Sequence, residues 1–107
     1  MKVYGIKSCD KVRAAMKALE AAGYAPGLVD IRETPLGAAA FERFHAAFGA
    51  ALVNRKSTTW RGLGEDERQA DVMALLAAHP TLMKRPVIEG EGRLTLGWDK
   101  EAQAVWL

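Results

Sequence analysis

The chain has one cysteine, Cys9, among its 107 residues. A single thiol cannot close an internal disulfide, supply a cysteine-cluster metal site or run an internal dithiol exchange. If Cys9 does redox chemistry, its resolving thiol comes from outside the chain. Charge of one sign is also scarce: 15 basic and 13 acidic side chains leave +2, with a pI near 8.9. That balance is far from the charge density of a nucleic-acid surface. No apolar run approaches the roughly 18–20 residues of a membrane span. Met1 to Lys7 is too short and too polar to read as a secretory signal. There is no glycine-rich phosphate loop, no paired-histidine metal motif and no internal repeat. The expectations are therefore no metal, no direct nucleic-acid contact and no membrane.

What is present is an ordinary globular composition, 50% hydrophobic and 26% charged, at a length that suits one domain around one core. Lys2 to Ile6 alternates bulky β-formers and ends abruptly at Lys7-Ser8, which predicts a short buried strand. From Cys9 the period changes. Val12, Ala15, Met16, Leu19 and Ala22 form a helical stripe, with Gly23 as the stop. Leu28 to Ile31 reads as a second strand, so the first third predicts a parallel βαβ unit. Pro35 is expected in the first turn of a helix carrying Phe41, Phe44, His45 and Phe48 and ending at Gly49. Asn54 to Gly64 reads as loop and short helix. Glu65 to Ala78 reads as one helix with Val72, Leu75, Leu76 and Ala78 on its apolar face. Val87 to Leu96 reads as a hairpin around Gly90-Glu91-Gly92. Trp98 to Leu107 closes the chain as a helix, with Ala102, Val105 and Trp106 turned inward. The order predicts an α/β protein, thioredoxin-like, with a small mixed sheet of about four strands and a helical insertion at 35–80 between its two halves.

Cys9 falls where the first strand turns into the first helix, near unpaired N–H groups and the positive end of the helix dipole. These fields favour a thiolate, Lys7 adds to them, and Asp10 opposes them. Position alone leaves two readings, a nucleophile or a small inert buried thiol. Arg85-Pro86 stands before a strand: Pro86 is either a cis turn or an ordinary strand-leading residue. Arg85 offers a planar fork for an oxyanion or carboxylate, or is a solvated surface arginine. Arg55 and Lys56 form a basic pair in a polar loop. Trp60 and Trp98 are core or pocket wall, and structural roles are expected for His45 and His79.

Four runs, Tyr4-Gly5-Ile6-Lys7-Ser8-Cys9-Asp10, Thr58-Thr59-Trp60-Arg61, Lys84-Arg85-Pro86-Val87 and Leu96-Gly97-Trp98, together resemble the arsenate reductase (ArsC)/Spx family, nearest to its YffB-like branch. The resemblance implies one thioredoxin-like domain over residues 1–107, in a bacterial, cytoplasmic protein; separately, a monomer is expected. The resemblance implies Cys9 as nucleophile, Arg55 and Arg85 as anion ligands, and Pro86 as a cis proline near the site; Lys7 is expected to join the anion-binding groups from its place two residues before Cys9. The resemblance further implies no tightly bound cofactor, glutathione as co-substrate and glutaredoxin as a partner. Two departures bear on substrate. The third oxyanion-binding arginine of arsenate reductases falls at Leu96, a loss of roughly 1.5–3 kcal/mol of binding, and Ile-Lys-Ser precedes Cys9 where those enzymes carry an Asn-Pro pattern. Val12 stands where Spx-type switches carry a second cysteine, which excludes a self-contained disulfide switch. The expected function is a glutathione-dependent thiol reductase-like enzyme. The alternatives are an Spx-like module binding RNA polymerase, and a weak arsenate reductase.

Overall fold

The computed structural model describes residues 1–107. In chain order its elements are β1 (Lys2–Gly5), α1 (Asp10–Ala21), β2 (Gly27–Asp30), α2 (Ala38–Phe48), α3 (Thr58–Arg61), α4 (Glu65–Arg68), α5 (Val72–Ala78), β3 (Val87–Gly90), β4 (Arg93–Leu96) and α6 (Lys100–Trp106). Short 3₁₀ turns lie at Gly49–Leu52 and Pro80–Leu82. The chain forms two compact units, Met1–Thr34 with Arg85–Leu107, and Pro35–Lys84.

The first unit is built on a four-stranded sheet of order β2-β1-β3-β4. β1 and β2 run parallel, and β1–β3 and β3–β4 run antiparallel. The stripe read from the sequence faces this sheet: Val12, Ala15 and Leu19 are buried with Val3, Ile88 and Trp106. Ala22 is exposed, at the very end of the stripe. Gly5 explains how closely the helix approaches, because a Cβ there would lie 2.5 Å from a methyl of Val12. The helix stops as expected. Gly23 takes φ +95° and, with Tyr24, turns back-bonded N–H groups onto Glu20 and Leu19 carbonyls. The β3–β4 hairpin turns on Glu91 and Gly92, both at positive φ (50° and 73°), as a two-residue loop with matching twist requires.

Asp99 caps α6 by accepting the Ala102 N–H at 2.9 Å. Ala102 and Trp106, four residues apart, form its inward line. Val105 does not join them. It lies off that line and is 39% exposed, which corrects its expected place in the core. Trp106 is satisfied as a buried indole should be: its N–H donates to Thr95 Oγ1 at 2.8 Å, and Tyr24 stands edge-on to its ring at 6.0 Å.

The second unit departs further from the periodicity. α2 buries Phe41 and Phe44 and ends at Gly49, but Pro35 is not in its first turn. Gly37 is still extended, and its carbonyl takes the first helical bonds from Ala40 and Phe41. Glu65 to Ala78 is two helices and not one. Asp71 adopts non-helical φ and ψ and accepts the Met73 N–H at 3.2 Å, so it starts α5 afresh. Leu75 and Leu76 are buried, while Ala78 is exposed. α3 is capped by Ser57, whose Oγ accepts the Trp60 N–H at 3.1 Å. Asn54 and Lys84 N–H groups reach Leu82 and Leu52 carbonyls, closing the unit around buried Leu52, Val53, Leu82 and Met83. No helix is long and apolar enough to cross a membrane.

Candidate active site around Cys9

Cys9 is the residue that opens α1. Its backbone is still extended (φ −78°, ψ 122°), its N–H donates to Ile6 O at 3.0 Å, and its carbonyl accepts the Arg13 N–H at 3.0 Å. The thiol makes no capping bond, is half-buried and packs against the core of the first unit. It therefore stands where the first N–H groups of a twelve-residue helix lack partners within the helix.

The loop that delivers it is tied to the end of β2. Asp30, 7% exposed, accepts the Lys7 N–H on Oδ2 at 3.0 Å and the Arg32 and Glu33 N–H groups on Oδ1 at 2.9 and 3.3 Å. These bonds, that from Lys7 foremost, hold its carboxyl below the ordinary value. The Arg32 guanidinium donates to Ser8 Oγ at 3.1 Å, and Arg13 Nε donates to Lys7 O at 3.0 Å. The ammonium of Lys7 pairs with Glu33 at 2.7 Å in the open, which raises the Lys7 pKa.

Arg85 and Pro86 lead into β3. Because Tyr4 pairs with Val87 across an antiparallel ladder, the residues before Val87 lie beside the end of β1, from which the chain runs on to Cys9. The Arg85–Pro86 peptide is cis, Pro86 is fully buried, and its carbonyl accepts the Gly97 N–H at 2.8 Å. Arg85 is half-buried. The first unit thus gathers Lys7, Cys9, Arg85 and Pro86 at one end of its sheet, with Leu96 opposite Val87 on β4.

Arg55 belongs to the second unit. It donates to Ala50 O at 3.0 Å and lies 5.3 Å over the Trp60 ring, with Arg68 also 5.7 Å from that ring. Trp60 is half-buried and serves as a platform for two guanidinium groups. Lys56 is exposed. Trp98 is half-buried against the core of the first unit. His79 pairs with Glu67 at 3.3 Å, and His45 is half-buried in the last turn of α2. Periodicity overlooked Asp30, Arg32 and Ser8. The available signal was a carboxylate set between Val29 and Ile31 in an otherwise apolar strand, where burial demands a partner.

The ArsC family model matches residues 4–105. The chain belongs to the ArsC family. Over 110 residues this ArsC-family protein is 38% identical to an uncharacterized protein from Haemophilus influenzae, covering 97% of this chain and 96% of the other. Over 104 residues it is 30% identical to an arsenate reductase from Neisseria meningitidis, covering 91% and 89%. The solved structure of a YffB protein superposes with a TM-score of 0.88 at 32% identity, covering 99% of this chain and 97% of that one. The α/β architecture is thioredoxin-like, with the mixed four-stranded sheet that the sequence predicts.

Proposed function

We propose that this ArsC-family protein is a thiol reductase-like enzyme in which Cys9 is the nucleophile and external glutathione resolves the adduct. The observation that carries the reading is the placement of the chain's one thiol at the head of α1, half-buried, in a loop whose neighbours are hydrogen-bonded residue by residue. In the proposed cycle the Cys9 thiolate attacks one sulfur of a disulfide. The S–S bond breaks, the departing thiolate takes a proton, and Cys9 is left in a mixed disulfide. A glutathione thiolate then attacks the substrate sulfur and displaces Cys9. A second glutathione, or glutaredoxin acting for it, reduces the resulting mixed glutathione disulfide, so two glutathiones supply two electrons and leave as one disulfide. Arg85 is proposed as a ligand of an anionic group on substrate or glutathione, the task a guanidinium fork suits.

Arsenate is a second reading, supported by the name of the Neisseria relative. It would take the same two electrons from two thiols, leaving as arsenite with one water. Glutathione-coupled turnover of a small disulfide and of arsenate, with glutaredoxin present, decides between the two. Cys9→Ser is expected at background with either substrate. Turnover that survives in Cys9→Ser overturns the assignment. An unreactive Cys9 with no turnover of either substrate would favour a partner-binding module.

A further inference from the structure

We propose that Asp30 is a positioning residue for Cys9: its buried carboxylate, shared between the Lys7 amide and the amides of Arg32 and Glu33, sets where the β1–α1 loop delivers the thiol. The inference rests on the reading of Cys9 as nucleophile. Between the end of β1 and the start of α1 every residue has a named tether. Ile6 O takes the Cys9 N–H, Lys7 N–H goes to Asp30, Lys7 O takes Arg13 Nε, and Ser8 Oγ takes Arg32.

These tethers are not equivalent. The Arg13 and Arg32 bonds lie in the open, where water replaces a lost partner. The Asp30 carboxylate is shielded from solvent, and its charge is met by three backbone N–H groups, an arrangement of charge-assisted bonds. Removing it leaves the Lys7 amide with no alternative acceptor of that strength, two residues before the thiol. The bond also spans 23 residues, so it fixes the loop to the far end of the βαβ unit and not only to itself.

Asparagine at this position keeps one acceptor oxygen and alanine keeps none, so Asp30→Asn and Asp30→Ala should form a graded pair. In Asp30→Asn the Lys7 amide is expected to exchange its hydrogen roughly ten- to a hundredfold faster, the weight of one charge-assisted bond. Alkylation of Cys9 by iodoacetamide should slow about tenfold, as expected for a displaced reactive group. In turnover, kcat should fall while KM holds, and Asp30→Ala should exceed Asp30→Asn in each readout. A role in stability alone would lower the unfolding midpoint and leave the alkylation rate of the folded variant unchanged, and that result overturns the proposal. Should neither variant fold, the wild-type protein still decides. A scalar coupling across the hydrogen bond between the Lys7 amide nitrogen and the Asp30 carboxyl carbon supports the proposal, and its absence overturns it. Alkylation and exchange need no substrate, so failure of the reductase reading and failure of the positioning role are separately visible.

Discussion

The two units hold their polar groups in different ways. In the first, two of the bonds that matter join residues far apart in sequence: Lys7 to Asp30 and Tyr24 to the Trp106 carbonyl. In the second most are local: Ser57 to Trp60, Gly64 to Glu67, Asp71 to Met73, Arg55 to Ala50. Its longer links are Thr59 with Thr81, Glu67 with His79, and the backbone bonds from Asn54 to Leu82 and from Lys84 to Leu52. A sheet brings strand ends together whatever their separation along the chain, so the first unit can gather Lys7, Cys9, Arg85 and Pro86. The second is a succession of helices, of which α3, α4 and α5 each begin at a single side-chain cap.

The largest effects should come from the cores. Leu19→Ala in the first unit and Phe44→Ala in the second remove side chains with no exposed surface. Each should cost about 2–5 kcal/mol in urea unfolding. A loss well under about 1 kcal/mol at either would mean that side chain is no part of a packed core. Gly5→Ala comes next. Its new methyl must displace Val12, a branched and stiff neighbour, at an expected cost of about 1–3 kcal/mol by thermal unfolding. An effect near zero would show that α1 is free to move away from β1. Asp71→Ala should cost about 0.5–2 kcal/mol and, in amide exchange, loosen the first turn of α5 while leaving α4 unchanged. Loosening of both together would restore the single helix.

The smallest effect is on the acid side, and each unit has one carboxylate to show it. Asp30 is depressed below 3.8 chiefly by the Lys7 amide, and Glu67 below 4.5 chiefly by the Gly64 amide, with His79 second. A carboxyl lowered in the folded state adds stability that is present above its unfolded value and lost as pH falls through the folded one. Stability should therefore decline as pH drops below about 4.5 and then 3.8. Glu67→Gln should flatten the upper part of that decline and Asp30→Asn the lower. Unchanged slopes would show that neither bond persists in solution.

The same contrast explains what could be read in advance. β1, α1, β2 and the hairpin follow from alternation, a helical stripe and turn glycines, and their order implies the parallel β1–β2 pair. The break at Asp71 was hidden because Glu65 to Asp71 carries almost no apolar residue, so no phase stands there to be compared with Val72, Leu75 and Leu76. Only the aspartate's ability to compete for a backbone N–H reveals it. Pro35 misled because a proline before a helix marks its first turn only when the next residues are already helical, and Gly37 is extended. Cys9 was legible as a strand-to-helix residue, and Arg85-Pro86 as the lead into a strand. Their common end of the sheet needs the antiparallel Tyr4–Val87 register, which periodicity does not carry. Asp30 was legible as part of a strand but not as a tether, because burial patterns show where a carboxylate sits and not what it accepts.

The central claim is that the single thiol forms a covalent intermediate that another molecule's thiol releases. Intact-mass analysis after exposure to oxidised glutathione tests it most directly. One glutathionyl group should appear per chain, on Cys9, and reduced glutathione should remove it and return the free thiol. No adduct, or an adduct on Cys9 that reduced glutathione leaves in place, would contradict the account.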